Sequence, residues 1–179
     1  MGVSGDFVNG TLFYNGAKRV SISTIVQNGE IIAEQGLHDN VKRGHFVVYK
    51  NGTVGVEMFD FVSRHPRLKD MAFCVGGFNI MPDIPMREQF KLEWFDYNTV
   101  GYRTWRTMLG YNKTTGKALV VMAPNLDAEE GRQLMKKLGC DCGIGLDGGG
   151  STCGRMMGKV IRQTTRVIHN IIRWWEDGR

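Results

Sequence analysis

A single carboxylate is followed directly by three glycines and two hydroxyl side chains: Asp147, Gly148, Gly149, Gly150, Ser151 and Thr152. Three successive glycines cost conformational entropy, so a chain keeps them where the backbone must approach another group closely or adopt positive φ. Their N–H groups can form a concave cluster that accepts an anion. The motif therefore predicts chemistry on a phosphorylated or sugar-like ligand. The alternative is a tight turn in which Asp147 is only a turn or cap residue, and the motif alone leaves both open.

An arginine lies in a second chemically suggestive segment, residues 103–110. If this segment is a strand, Arg106 shares one face with Met108 and Gly110, which otherwise suit a core. An arginine held rigidly in that position is a natural bidentate clamp for phosphate or carboxylate. The alternative is an arginine at a strand end that reaches solvent.

Other site motifs do not fit the sequence. Gly143-x-Gly145-x-x-Gly148 matches the dinucleotide fingerprint literally, but its glycines do not open a helix. The four cysteines and four histidines lack the spacing of a zinc site or a catalytic pair, so the cysteines are read as core thiols. The sequence therefore predicts neither a cofactor nor a metal.

Composition and charge narrow the ligand class. The chain has 179 residues, which suits one domain over residues 1–179, and a formal net charge of +5. Most of that charge follows residue 150, where basic residues outnumber acidic ones: Arg155, Lys159, Arg162, Arg166, Arg173 and Arg179 against Glu176 and Asp177. A basic segment beside a glycine-rich turn suits an anionic small molecule, a phosphosugar or nucleotide-like compound. A nucleic-acid partner is not expected, because no known binding motif is present.

The first residues lack the pattern of a signal peptide, and no apolar run has the length of a membrane span. These features predict a cytoplasmic protein without a membrane partner. Whether the chain acts alone or as a homo-oligomer is left open.

Antiparallel strands dominate the predicted secondary structure. Asn-Gly pairs are strong hairpin signals, and two of them separate good strands: residues 20–27 from 30–34, and residues 45–49 from 53–58. A further hairpin joins residues 103–111 to residues 117–122. The last segment, residues 157–175, is read as a hairpin around residues 163–165, with a helix as the rival.

One helix is clearly indicated between residues 127 and 139. Asp127 and Glu130 form a capping-box pattern, and Gly139 is placed to end the helix. A strand at residues 140–146 follows and leads into the glycines. Residues 64–71 are read as a short helix or a loop, and residues 86–98 stay ambiguous. The predicted class is α+β: mostly antiparallel or mixed sheets built from hairpins, with one or two short helices.

Taken in order, these segments resemble the phosphodiester glycosidase family. Residues 106–110 (Arg-Thr-Met-Leu-Gly) resemble the family's Arg-Thr-x-x-Gly strand, and residues 145–152 its Leu-Asp-Gly-Gly-Gly-Ser signature. The apolar strand and the helix between them also occur in the family's order. Two departures stand out: Ser4 occupies a position where the family usually has Asn, and Ala-Pro-Asn at residues 123–125 replaces an acidic segment.

The resemblance implies hydrolysis of a sugar-1-phosphodiester at the anomeric carbon. Because phosphate is a good leaving group, strong acid assistance is less necessary than in ordinary glycoside hydrolysis. The implied roles are a catalytic carboxylate at Asp147, a partner carboxylate at Asp6 and a phosphate clamp at Arg106. Asp147 would activate water, act as nucleophile or support the sugar cation. The implied substrate contacts come from the glycine turn and its neighbours: Thr107, Gly148, Gly149, Gly150, Ser151, Thr152 and Arg166.

Two rival functions remain. The first is a binding protein that retains the pocket without catalysis and sequesters a phosphosugar or nucleotide-like ligand, which the two departures would explain. The second is a structural component of a viral particle or another assembly, with Trp174 and Trp175 as an exposed interface.

Overall fold

The structure is a computed structural model, and it describes residues 6–10, 23–34, 41–168 and 170–174. Ser4 and Trp175, and residues 20–22 of the first predicted hairpin, lie outside these ranges. Twelve strands are assigned within them: β1 (Asp6–Asn9), β2 (Ile25–Gln27), β3 (Glu30–Ala33), β4 (Arg43–Tyr49), β5 (Val54–Phe59), β6 (Met71–Asn79), β7 (Thr104–Asn112), β8 (Lys117–Leu126), β9 (Cys142–Gly145), β10 (Gly154–Met156), β11 (Lys159–Arg162) and β12 (Ile171–Trp174). Every strand pair among them is antiparallel.

The strands form two sheets that pack face to face. The smaller sheet has the order β11-β10-β1-β12, and the larger runs β3-β2-β6-β9-β7-β8, with β4 pairing β6 and β5 pairing β4. Phe46, Val75, Leu109 and Ile144 form a core on the face of the larger sheet that packs against Ile172 of the smaller sheet. The predicted α+β class with mostly antiparallel sheets is confirmed.

Two α-helices cover the opposite face of the larger sheet. They are α1 (Met86–Leu92) and α2 (Ala128–Lys137). α2 begins at the predicted capping box, in which Asp127 and Glu130 each accept a hydrogen bond from the other's backbone N–H. Phe78, Phe90, Met108 and Met135 form the core beneath them. None of the helices in the described ranges combines the length and apolarity that a membrane span requires.

Short helical turns resolve the two ambiguous segments. Residues 64–71 contain the end of one 3-10 turn, Val62–Arg64, the whole of a second, Leu68–Asp70, and the start of β6. Residues 86–98 contain α1 and enter a π-helical turn, Tyr97–Gly101.

The predicted hairpin at the C-terminal end is wrong. β11 pairs with β10 through a turn at Met157 and Gly158, whereas β12 pairs with β1. Met157 and Gly158 both have positive φ, as a type I′ turn requires. The Asp6 carboxylate accepts hydrogen bonds from both N–H groups of this turn. The turn is thus stabilised by a residue about 150 positions away, which no local signal reveals.

Candidate active site

β9 delivers Asp147 to one edge of the packed sheets. Leu146, the residue before it, is 1% exposed and belongs to the core between the sheets. The Leu146 N–H donates to the Thr107 carbonyl at 2.9 Å, and the Asp147 N–H donates to the Gly10 carbonyl at 3.3 Å. The backbone at Asp147 is therefore held from both sheets.

The Asp147 carboxyl is partly buried, and its surroundings change its acidity. Loss of solvation by burial raises its pKa above the usual range of an aspartate. Hydrogen bonds from the Ser151 hydroxyl and the Gly148 N–H, and the charge of Arg166, oppose that rise. A carboxylate with a raised pKa is a better proton acceptor than an ordinary aspartate.

The glycines form a tight 3-10 turn, Gly149–Ser151. The Ser151 N–H donates to the Gly148 carbonyl at 3.1 Å, and the Thr152 N–H donates to the Gly149 carbonyl at 3.2 Å. Within the described residues, the N–H groups of Gly149 and Gly150 have no such backbone acceptor. The amides open to an anion are therefore fewer than the motif predicts.

Two of the glycines are required by the geometry. Gly149 has φ of +60°, and a Cβ at Gly148 would lie 2.9 Å from the Trp105 carbonyl oxygen. Gly149 also packs closely against the side-chain oxygens of Tyr102 and Thr104. The turn therefore packs tightly against the start of β7. This agrees with the sequence-based interpretation that the glycines allow a close approach of the backbone.

The basic segment after residue 150 covers the carbonyl side of the turn. Arg162 donates to the carbonyls of Thr152 at 3.1 Å and Gly149 at 3.3 Å, and it stacks over the Trp105 ring. The Thr164 hydroxyl donates to the Gly150 carbonyl at 2.5 Å. These contacts fix the conformation of the turn.

Arg166 lies at the turn, where the sequence predicts it. The guanidinium would be 2.6 Å from a Cβ placed on Gly150, and it donates to the Ser151 hydroxyl at 3.5 Å. Arg166 is exposed at its surface, and its charge acts on Asp147. Arg166 therefore presents an exposed positive charge beside the glycine turn.

Asn9 is a member of the site that the sequence reasoning missed. Its side chain is 1% exposed and donates to the Asp147 carbonyl at 2.6 Å. Its Oδ1 accepts from the Thr107 hydroxyl at 2.7 Å and from the Cys153 N–H at 3.2 Å. The only signal in the sequence was Asn9-Gly10, which is equally typical of a hairpin turn.

The other two hydroxyl candidates face inward. Thr107 is 1% exposed and donates to Asn9, so it positions a neighbour of Asp147. Thr152 is completely buried, and its hydroxyl has no hydrogen-bond partner among the residues that the structure describes. Neither is presented to solvent beside the carboxylate.

The contacts of Arg106 differ from those of the expected phosphate clamp. Its side chain is 3% exposed, and each of its three nitrogens donates to a backbone carbonyl: Leu126 at 3.2 Å, Val100 at 2.5 Å and Tyr102. Because β-strand side chains alternate, Arg106 points to the face opposite Thr107. These contacts correct the sequence-based assignment: Arg106 holds the segment before β7 in place.

Asp6 is not brought together with Asp147. It begins β1, and its carboxylate is used by the turn between β10 and β11. Asn9, at the other end of β1, is the residue that contacts Asp147. Asp6 lies three residues along β1 from Asn9, roughly 10 Å of strand, so the contacts of its carboxylate do not support the role of partner carboxylate that the resemblance implies.

No group of three or more potential metal ligands occurs in the described ranges. All four cysteines are free, and three of them are buried: Cys74, Cys140 and Cys153.

Known proteins are similar to this chain in sequence and in fold. A sequence model of the phosphodiester glycosidase family matches residues 6–172. The chain belongs to this family. The match begins at the start of β1 and ends within β12, so the resemblance seen in the motifs is confirmed over most of the chain.

Solved structures share the fold. A zebrafish N-acetylglucosamine-1-phosphodiester alpha-N-acetylglucosaminidase catalytic domain, auto-inhibited by its pro-peptide, is similar with a TM-score of 0.72 and 16% identity over 89% of this chain. A hypothetical protein from Synechocystis is similar with a TM-score of 0.56 and 12% identity over 89% of this chain. The chain spans about half the length of these two structures, 56% and 49%. No curated protein matches its sequence.

Proposed function

We propose that this protein hydrolyses sugar-1-phosphodiesters at the anomeric carbon, with Asp147 as the catalytic carboxylate. The observation that carries the proposal is the position of Asp147: a partly buried carboxyl of raised pKa, next to a turn with two unbonded backbone amides and beside Arg166. Membership of the phosphodiester glycosidase family supports the reaction class.

The reaction forms one bond and breaks one. The oxygen of a water molecule attacks the anomeric carbon, and the bond from that carbon to the phosphate oxygen breaks, with its electron pair leaving on the phosphate. Asp147 accepts the proton of the water. A single carboxylate suffices because the phosphate leaves without protonation, which fits a site that lacks Asp6.

The phosphate is assigned to the glycine turn and Arg166. The N–H groups of Gly149 and Gly150 have no backbone acceptor among the described residues, and the Arg166 guanidinium packs against Gly150. Donors fixed in place before the reaction stabilise charge that develops on the leaving group. Arg166 thereby takes the role that the sequence suggested for Arg106.

The zebrafish protein is named for action on N-acetylglucosamine-1-phosphodiesters, so N-acetylglucosamine is the first sugar to test. The methyl ester of N-acetylglucosamine-1-phosphate is incubated with the protein in 18O-water, and the methyl phosphate released is examined by 31P NMR. Unlabelled methyl phosphate is expected, because the water oxygen enters the sugar. Labelled methyl phosphate would mean cleavage at phosphorus and would refute the proposal.

One observation favours a second candidate, a non-catalytic protein that sequesters phosphosugars. The end of β8 carries Ala-Pro-Asn at residues 123–125, where the phosphodiester glycosidases that the chain resembles usually have an acidic segment. Saturable binding of the same ester with no product after prolonged incubation would establish this candidate instead.

A further inference from the structure

An apolar cavity lies between the two sheets, away from the glycine turn. Its volume is about 600 Å³. Leu109 on β7 and Val120 on β8 line it from the larger sheet, and Ile172 on β12 lines it from the smaller one. Its lining includes neither Asn9 nor Asp147 nor the glycine turn. The cavity is therefore separate from the proposed site of hydrolysis.

The cavity has a buried apolar floor and an exposed rim. Phe46 and Leu109, at the floor, are 4% and 5% exposed, whereas Met157, at the rim, is 92% exposed. Trp174, which the sequence suggested as part of an exposed interface, is half-buried and lines this cavity. A ligand can therefore enter from solvent and reach the core between the sheets.

The charge that faces the cavity is negative. Asp6 on β1 lies directly opposite Trp174 on β12, and Val8 lies opposite Ile172 two residues further along. Because side chains alternate along a strand, Asp6 and Trp174 share the face on which Ile172 lines the cavity. Arg173 lies between Ile172 and Trp174 and is exposed, so its side chain points to the opposite face of the smaller sheet.

The Asp6 carboxylate keeps its charge and part of its hydrogen-bonding capacity. Each oxygen accepts one hydrogen bond from the turn after β10, from the N–H groups of Met157 and Gly158. Both donors are neutral, and each oxygen has a further acceptor position. No cation among the described residues forms an ion pair with Asp6. Lys159, opposite Met156 at this turn, is exposed and does not line the cavity.

The indole of Trp174 adds a second group that attracts a cation. The Cβ atoms of directly opposite residues are roughly 5 Å apart, so the Trp174 side chain starts beside that of Asp6. The face of a tryptophan ring attracts an ammonium ion more strongly than that of any other aromatic side chain. The rim therefore combines a carboxylate that accepts hydrogen bonds with a ring that binds positive charge.

The size and the lining restrict the occupant. An apolar cavity of roughly 150 Å³ admits benzene, and sites of roughly 300–1,000 Å³ hold drug-sized ligands. A peptide would leave its backbone N–H and C=O groups without partners against this lining, which is costly. An apolar molecule with one cationic end has no such groups.

We propose that this cavity binds a hydrophobic primary amine, with the apolar part between the sheets and the ammonium between Asp6 and Trp174. The inference is independent of the proposed hydrolysis, because the two sites share no residue.

Isothermal titration calorimetry of the full chain with decylammonium, below its micellar concentration, tests the proposal. One-to-one binding with a negative heat-capacity change is expected, since apolar surface is buried. Octylammonium should bind about tenfold more weakly, because each methylene contributes about two- to fourfold in affinity. Absence of decylammonium binding, or equal affinity for the two amines, would overturn the proposal.

Ligands of equal chain length isolate the effect of charge. Decylammonium should bind about tenfold or more tightly than neutral decan-1-ol, and decanoate should bind most weakly. The chain carries a formal net charge of +5, so attraction to the protein as a whole would favour decanoate instead. A cavity that binds decan-1-ol or decanoate as tightly as decylammonium would contradict the proposal.

Variants at the rim test the two groups that bind the ammonium. Asp6→Asn retains an oxygen acceptor for the turn, and it should weaken decylammonium about tenfold or more without changing decan-1-ol. Trp174→Leu should weaken decylammonium about two- to fivefold more than it weakens decan-1-ol. Asp83→Asn, at an exposed position outside the lining, is the matched control and should change neither ligand. Equal effects of Asp6→Asn on both ligands would refute the contact with the carboxylate.

A filled cavity separates this site from the protein surface. Val120→Trp should abolish decylammonium binding, whereas Ile161→Trp, at an exposed position outside the lining, should leave the dissociation constant unchanged. Val48→Phe adds less volume and serves if Val120→Trp fails to fold. Equal binding by the filled and control variants would place decylammonium elsewhere and contradict the proposal.

Discussion

The Asn9 side-chain amide donates a 2.6 Å hydrogen bond to the carbonyl of Asp147, a residue 138 positions later. The same side chain binds Thr107 and Cys153, so it joins β1, β7 and the segment after the glycine turn. These bonds fix the backbone on both sides of the carboxylate. The position of Asp147 therefore depends on the first described strand as much as on its own turn.

Replacing Asn9 tests this dependence. Asn9→Ala leaves the Thr107 hydroxyl and the Cys153 N–H without their buried partner, so the free energy of unfolding should fall by about 1–3 kcal/mol. Hydrolysis should fall more than the folded fraction does, because Asp147 is no longer held. Urea unfolding and turnover are measured on the same preparations. Asn98→Ala, at an exposed position whose side chain is not used in a hydrogen bond that the structure describes, should change neither.

Removing the charge of Arg166 tests the phosphate site. Arg166→Gln should raise the inhibition constant of inorganic phosphate by about tenfold or more, since a hydrogen-bonded charge at a bound anion is worth about 1.5–3 kcal/mol. Competitive inhibition of the hydrolysis gives the constant. Arg64→Gln removes an exposed arginine outside the site and serves as the matched control. Equal inhibition of the two variants would place the phosphate elsewhere.

Replacing Arg106 should lower the stability of the fold and leave phosphate binding almost unchanged. Arg106→Lys keeps the charge but cannot reach three carbonyls at once, so the free energy of unfolding should fall by roughly 2–4 kcal/mol. Phosphate inhibition of the remaining folded protein should be close to that of the wild type. Unchanged stability together with lost phosphate inhibition would restore the clamp that the sequence suggested.

Glu93 should make stability depend on pH. Its carboxylate is completely buried and accepts hydrogen bonds from the Gly44 and Asn79 N–H groups and from Gln89. Burial raises its pKa to about 7. The folded state therefore favours the protonated form, and this contribution is complete below the ordinary glutamate pKa, about 4.3.

As the pH rises from about 4.3 through 7, this contribution is lost. Over this pH range the free energy of unfolding of the wild type should fall, relative to that of Glu93→Gln, by a quantity on the order of 3 kcal/mol. Urea titrations of both proteins across the range measure the difference. Glu93→Gln itself should be less stable than the wild type at acid pH, because one of its side-chain acceptors is gone. Glu88→Gln, exposed on α1, should retain the slope of the wild type. An identical slope for Glu93→Gln would contradict the raised pKa.

Short sequence motifs correctly predicted the turns and helix ends whose conformation is set by neighbouring residues. The turn at Asn28 and Gly29 has the expected positive φ at both residues, and the capping box of α2 forms in full. β6 was not foreseen, because a central strand buried on both faces shows no alternation and this one contains Gly76 and Gly77.

The parts of the site that could not be predicted depend on long-range contacts. The role of Arg106 follows from carbonyls at Val100, Tyr102 and Leu126, whose positions only the folded chain defines. Asn9 looked like a turn residue because its partners are distant in sequence. The turn at Asp147 could be predicted because its glycines are required by the local backbone conformation, in which Gly149 has positive φ.

Catalysis by Asp147 is tested most directly by measuring the release of free sugar from the sugar-1-phosphodiester. The release is followed in the anomeric region of the proton NMR spectrum. Wild type and Asp83→Asn, at an exposed position away from the site, should release it at equal rates. Asp147→Asn should be slower by about 100- to 10,000-fold, the range that a positioned proton acceptor contributes. Release by Asp147→Asn at the wild-type rate, with the fold intact, would contradict the account.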